Sequence, residues 1–423
     1  MTACSPTPSW PTRSPRAEGR TPGRCAALAL LLSVSAAAHE LEDGGVPDLP
    51  GWRLGAAVAL DAADADNPWP SQRRSGLLLT GERPRDRRGA VTLEQAMVDG
   101  AVRLNRWLGA QVSVGAHDRD DPRVETARLE LQGTLAGQPL RLRAGRQSVA
   151  LGSPVDNAGH FDRYAQVPLA KLAVLNEHWI DDGLQLDWQR PEVERGLRSL
   201  GLGLWRARAF PGGPQGPVAP SVRATAVWDH WAGHLLAAAL QPESRGAAAL
   251  GSGPVGHTHG VPDCSRSVLR LVCFDGDSQV LGTSLGWDSA DGRWQASGAA
   301  LWRRERGTLY TSSGSADYRG DTVGAWADLA WQWRPDWTLA ARAERLTTRH
   351  GLTGPGASLV ASAAGLSPAE PRHRLTLALG HQGLKPLSIW LEAGAEQMRG
   401  QATETHVLLR LLWQAPHQLE GGF

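Results

Sequence analysis

The stretch Thr322–Thr347, TVGAWADLAWQWRPDWTLAARAERLT, alternates residue by residue. Val323, Ala325, Ala327, Leu329, Trp331 and Trp333 fall on one side, and Gly324, Trp326, Asp328, Ala330, Gln332 and Arg334 on the other. After Pro335-Asp336 the pattern resumes, with Trp337, Leu339, Ala341 and Ala343 opposed to Thr338, Arg342 and Glu344. A period of two is strand geometry, because successive side chains point to opposite faces of a sheet. Pro-Asp is turn chemistry, so the stretch predicts a β-hairpin with one apolar and one polar face.

The same pattern recurs along most of the chain. It predicts a first strand over Trp52–Leu60, then the pairs Val91–Asn105 with Trp107–His117, Val124–Ala136 with Leu140–Val149, and Gly183–Arg190 with Leu197–Phe210. Val222–Asp229 pairs with Trp231–Gln241, Val280–Trp287 with Trp294–Arg304, and Arg372–His381 with Leu387–Met398, and His406–Gln414 closes the series. The connections alternate in length. Short turns recur at one end, whereas 61–89, 150–182, 211–221, 242–279, 305–320 and 349–371 are long. Short periplasmic turns, long extracellular loops and apolar-out alternation predict an all-β fold: a transmembrane antiparallel up-and-down β-barrel of about 16 strands.

Composition narrows the function. The net charge of +1 shows no basic excess of the kind that marks a nucleic-acid partner. No window reaches the roughly 18 unbroken apolar residues of a membrane helix, which does not argue against a barrel whose strands hide half their residues from lipid. Eighteen Trp beside only 3 Tyr and 4 Phe is an unusual aromatic set. Trp107, Trp188, Trp228, Trp231, Trp287, Trp294, Trp331, Trp333, Trp337 and Trp413 fall at or beside the short turns. Interfacial Trp forms such girdles because the ring is apolar and its N–H seeks water or headgroups.

Arg13, Arg16, Arg20 and Arg24 precede the apolar run Cys25–Ala38, which ends in small residues, so residues 1–38 read as an export signal cleaved after Ala38. A periplasmic lead over 39–50, a barrel over 51–414 and a periplasmic tail over 415–423, interrupted by Pro416, complete the expected organisation. Cys264 and Cys273 then remain in the exported chain and read as one disulfide, with metal ligation as the alternative in a less oxidising setting.

The export signal, the hairpin series, the strand LRLRAGRQ (Leu140–Gln147) and the terminal Phe423 resemble Gram-negative outer-membrane porins, and more narrowly the alginate-export and phosphate-selective porin-like barrels. The resemblance implies a pore for small hydrophilic solutes or ions in the outer membrane, assembled by the barrel-assembly machinery, surrounded by outer-membrane lipid and able to form a homotrimer. It carries no solute-binding residue.

Two loops hold candidate chemistry. The long segment after the fifth strand has the position of a porin loop that folds inward to narrow the lumen. His160, Asp162, Arg163, Tyr164, Lys171, Glu177, His178, Asp181 and Asp182 are its constriction candidates, since rings of charge set ion preference. The second is His257-Thr258-His259 with Asp263, which offers imidazole and carboxylate to zinc or another divalent metal and supports an alternative reading as a zinc-capturing barrel. As bland alternatives, the first loop lies over the mouth with its charges in water, and the second is a Gly/His-rich surface loop. Gly282-Thr283-Ser284-Leu285-Gly286 fits G-x-S-x-G, but Ser284 falls inside an alternating strand rather than a strand–turn–helix elbow, so no catalytic residue is assigned.

Overall fold

The computed structural model describes residues 45–63, 91–117, 121–249, 261–366 and 369–422; the expected export signal lies outside them. The early strands are β1 (Gly51–Ala63), β2 (Val91–Arg103), β3 (Leu108–Ala116), β4 (Arg123–Leu135) and β5 (Gln138–Ser148). They are followed by β6 (Ile180–Gln189), β7 (Arg195–Trp205), β8 (Ala219–Trp228), β9 (Trp231–Leu240) and the four-residue β10 (Arg245–Ala248). The later wall consists of β11 (Leu271–Asp288), β12 (Trp294–Thr311), β13 (Gly314–Arg334), β14 (Trp337–Thr353), β15 (Ala369–Leu384), β16 (Leu387–Met398) and β17 (Glu404–Gly422). Helices α1 (Ser153–Asp156) and α2 (Leu169–Leu175) lie between β5 and β6, and α3 (Ala357–Ala364) lies between β14 and β15.

Neighbouring strands pair antiparallel, and β1 pairs with both β2 and β17, which closes the sheet into a 16-strand barrel. The segment β10 is additional: it pairs with β11 beyond the end of β9, which itself pairs with the lower part of β11. Alternation assigns the faces. On β13, Val323 and Leu329 are exposed outward, while Thr322, Gly324 and Trp326 are buried inward. Leu339, Leu375, Leu377, Leu391 and Leu409 continue the outward apolar belt on the following strands. An apolar belt around a closed barrel is the membrane-spanning architecture of the Gram-negative outer membrane, because closure leaves no unpaired strand edge in lipid.

The tryptophans gather at the short-turn rim as expected. Trp294 and Trp331 stack with ring centroids 5.3 Å apart, Trp231 meets Trp287 at 6.0 Å, and Trp337 meets His381 at 4.8 Å.

Several boundaries differ from the alternation-based reading: β10 and the first nine residues of β11 lie in the expected loop 242–279, and β7 ends at Trp205 rather than Phe210. The expected loop 305–320 is instead a hairpin in which β12 and β13 run on to a two-residue turn. The 21 residues of β13, at about 3.3 Å each, reach about 70 Å, well beyond a bilayer core of about 30 Å. Above the belt the faces swap polarity: Arg304, Arg306 and Asp317 point outward, whereas Leu309, Ala316 and Tyr318 point inward. There they pack with Val272, Phe274 and, from α3, Val360 and Ala364, forming an apolar cluster inside the outer rim. The expected loop 349–371 shortens likewise, because β14 continues to Thr353 and α3 occupies much of the remainder. The expected tail from residue 415 belongs to β17, which pairs up to Gly422 with Gly51. Its register shifts opposite Leu54/Ala56, between Ala415 and Leu419, so Pro416 sits where no ladder N–H is needed.

Candidate functional site

The segment joining β5 to β6 folds into the lumen. Gly152, at φ +110, starts it in a backbone region that favours glycine, and a Cβ there would meet the His234 ring at 2.4 Å. Asp156 then accepts hydrogen bonds from the Leu151 and Gly152 amides at 2.9 and 3.0 Å and fixes the turn into α1. Helix α2 packs flat on β13. The Cβ of any residue replacing Gly324 would lie 2.6 Å from that of Ala170, so glycine permits the approach. On this side Val174, Leu175 and Trp179 join Trp205, Leu236, Val280, Leu301 and Trp326 in one buried cluster. On the other side Phe161 and Tyr164 pack with Met97, Ala57, Ala378, Trp390 and Leu412. The loop therefore bridges the lumen rather than lying over its mouth.

Charged wall residues hold its backbone. Arg303 donates to the Ala173 carbonyl at 2.8 Å, Arg374 to Val167 at 2.5 Å, and Arg410 to His160. In the reverse sense, Glu392 accepts from the Ala165 amide at 2.7 Å and Glu344 from Leu169 at 2.6 Å. Inside a barrel such pairs satisfy loop amides and carbonyls that would otherwise be buried without partners.

The nine constriction candidates separate into groups. Asp162 pairs with Arg342 at 2.8 Å, and Arg342 also holds Asp328 at 2.7 Å and stacks 4.1 Å over the Tyr164 ring. Arg163 reaches Gln295 at 3.3 Å across a lumen cavity of about 110 Å³, lined also by Pro154, Asn157, Ser297 and Asp328. His160 lies between Glu94 at 2.9 Å and Glu177 at 3.4 Å, with the rings of His117 and His178 at 4.6 and 5.8 Å. Burial alone would lower the His160 pKa, but the hydrogen bonds to Glu177 and Glu94 prevail and raise it above the ordinary value. Lys171 does not line a passage: it turns into the loop, donates to the Ala158 carbonyl at 2.6 Å, and is pushed down to about 7 by burial. Asp181 faces inward on β6 and accepts from the Trp179 indole at 3.4 Å. Asp182 is corrected: the next position along a strand points outward, where it pairs with Arg206 at 3.2 Å.

A second charged array was not among the candidates. Along the β2–β8 wall run Arg103, Glu130, Arg143, Asp187 and Arg223, with contacts of 2.6, 3.2, 3.5 and 2.6 Å between successive members. Within the array the carboxylates are covered (side chains 3% and 0% exposed), whereas Arg143 and Arg223 keep 18% and 22% of their side chains accessible; the adjacent Arg141, 30% accessible, pairs with the exposed Asp48 at 3.6 Å. The inward alternation of Arg141 and Arg143 in LRLRAGRQ was its only sequence signal.

The Cys264–Cys273 disulfide is formed. His257 and His259 lie outside the described residues, and Asp263 accepts from Ser265 at 2.6 Å and pairs with Arg266 at 3.6 Å. Among the described residues no group of three or more His, Cys, Asp or Glu is arranged to hold a metal ion. Ser284 sits in mid-strand, paired on both sides by β9 and β12, which is not the setting of a nucleophile elbow.

No protein-family model and no curated protein matches the sequence. Among solved structures, the chain is similar to a loop L8 deletion mutant of OmpT, an outer membrane protein of Vibrio cholerae, at 12% identity and TM-score 0.53, covering 86% of this chain and 98% of that one. It is also similar to the in-vitro folded trimer form of the same protein, at 11% identity and TM-score 0.52, covering 87% and 100%. At such identities the likeness is one of fold: this chain is a porin-like outer-membrane β-barrel with a loop folded into its lumen.

Proposed function

We propose that the barrel is a narrow channel for small hydrophilic solutes and that it prefers anions. The observation that carries the preference is the unequal exposure along the β2–β8 wall: Glu130 and Asp187 hold the arginines in place and are covered, and Arg143 and Arg223 keep part of their guanidinium edges in water, whereas Arg141 is paired with the exposed Asp48 at 3.6 Å. A permeating ion meets the accessible charge first, so the local potential is positive. The bridging loop supports a small cross-section, since a barrel of this strand number without it leaves a wide aqueous channel. The alternative of zinc capture rests on His257 and His259 and draws no support from the described lumen.

The test is the reversal potential of the refolded barrel in a planar bilayer under a KCl gradient. A potential of the sign set by chloride is expected, moving toward zero in the double variant Arg143→Gln/Arg223→Gln. Cation selectivity in the native protein, or a potential unchanged by the double variant, refutes the anion preference. Absence of any conductance refutes the channel itself.

A further inference from the structure

A second concentration of arginine lies on the outside of the barrel. On β12 the outward apolar belt ends at Trp302, and the next two outward residues are Arg304 and Arg306. On β13 it ends at Val323, followed by Asp321 and Arg319, and on β14 at Ala343, followed by Arg345 and, past Thr347, Arg349. The register sets Arg306 directly opposite Arg319, and Asp321 between Arg304 and Arg349. Like charges facing across a ladder destabilise a sheet unless an anion is shared between them. Among the described residues, Arg306, Arg319, Arg345 and Arg349 make no ion pair, and all four are exposed. Only Asp277 and Asp321 stand in the same outward rows as these five arginines, while Asp275 and Asp317 sit one row farther from the belt.

Two further observations locate the array at headgroup depth. The Trp302 indole N–H donates to Asp321 at 3.3 Å and its ring carries Arg304 at 4.8 Å, the arrangement of an interfacial Trp with its apolar edge toward lipid. Beside it, a groove of about 510 Å³ runs between the ends of β8, β9, β11 and β12. Its lining is mixed: Val218, Pro220 and Ala239 stand beside Asp277 and Gln279, and Arg304 and Arg306 complete it.

We infer that this face binds the phosphate groups of a phosphorylated outer-leaflet lipid, with its acyl chains along the belt below Trp302 and Val323. Guanidinium recognises phosphate bidentately, which suits paired arginines spaced by a β-ladder. An apolar belt ending at Trp302 and Val323 directly beside the cations fits a molecule that is lipid at one end and anionic at the other.

The test uses the full refolded barrel, stripped of lipid in mild detergent, incubated with bis-phosphorylated lipid A and read by native mass spectrometry. Dephosphorylated lipid A and inorganic phosphate serve as the comparison probes. One retained bis-phosphorylated lipid is expected, with little retention of the dephosphorylated form. At about a fivefold loss per surface arginine, the triple variant Arg304→Gln/Arg306→Gln/Arg319→Gln is expected to bind about a hundredfold more weakly. The triple Lys variant keeps the charge and is expected to retain most of the binding. Each variant must keep the heat-modifiable gel migration of a closed barrel, which these exposed positions do not threaten. Equal retention of both lipid forms overturns the inference. So does undiminished binding in the Gln variant, or displacement of the lipid by inorganic phosphate at comparable concentration. A native oligomer that falls apart in the Gln variant without lipid makes the face a contact between copies of this chain, and also overturns it.

Discussion

Replacing Arg342 by Met tests whether the loop is held in the lumen by ionic contacts with the wall. Arg342 donates to Asp328 at 2.7 and 3.0 Å, to Asp162 at 2.8 Å and to the Gln166 carbonyl at 3.4 Å. Methionine fills part of the volume and removes every one of these donors, leaving Asp328 without its ion pair and Asp162 with only Arg163 at 3.8 Å. Removing one partner of a buried ion pair costs about 3–5 kcal/mol. The lower end applies here, because the Asp328 side chain keeps 19% exposure beside the lumen cavity and can be hydrated. Asp162 belongs to the loop and Asp328 to the wall, so displacing the loop relieves the first. A change of about 3 kcal/mol raises the displaced population by more than a hundredfold. Single-channel recordings of the refolded variant should show frequent transitions to a larger conductance that are rare in the native protein. Adding Asp162→Asn to Arg342→Met should restore much of the native behaviour, since it removes the stranded charge. Recordings of the single variant indistinguishable from native, with the closed-barrel gel shift preserved, refute the anchoring role.

Further outcomes follow from the same contacts. Gly324→Leu places a side chain where Ala170 now sits, an overpacking of about 1–3 kcal/mol against α2; larger conductance with unchanged barrel migration is expected. The pH dependence separates into two opposing parts. His160 is raised, so its contribution to loop seating is complete below its ordinary value and is lost as pH rises through the raised one. Lys171 is lowered to about 7, so seating strengthens as pH rises above about 7. Opening frequency should therefore rise with pH in Lys171→Met and fall with pH in His160→Gln; slopes of the same sign in both variants would contradict these assignments. Cys264→Ser releases the segment ahead of β11 without touching the barrel wall. Tryptic cleavage after Arg266 and Arg270 is expected to accelerate tenfold or more at unchanged gel migration.

The barrel was legible in the sequence because lipid imposes a strict period of two on Val323, Leu329, Leu339 and their counterparts, and because Trp collects at the rim. Legibility stopped where the solvent changed. Past Trp302 the alternation continues with its faces exchanged, so a pattern defined by an apolar outside ends at Arg304 although the strand continues to Thr311. Pro416 misled in the other direction, because a register shift accommodates it within β17. The inward loop announced itself by length and position, but its anchors did not. Arg410 meets His160 across 250 residues of chain, and Arg374 meets Val167 across 207, separations that no local pattern reports. Asp182 was assigned to the wrong face because the loop was taken to extend three residues into β6.

Arg410 also has a bearing on the order of assembly. It sits on β17, donates to Asp61 on β1 at 3.2 Å, and donates to the His160 carbonyl of the lumen loop. The seam between β1 and β17 joins segments made early and late in synthesis, and contacts of such sequence separation form slowly. With the loop outside, Arg410 keeps Asp61 and Glu392 keeps His406, but the His160 carbonyl and the Ala165 amide lose their wall partners, so the side chain that ties β17 to β1 also ties the loop to the seam. Closure of the seam thus completes one anchor of the loop, and an assembly factor that holds β17 apart from β1 would also withhold the Arg410 contact on which the seated constriction draws.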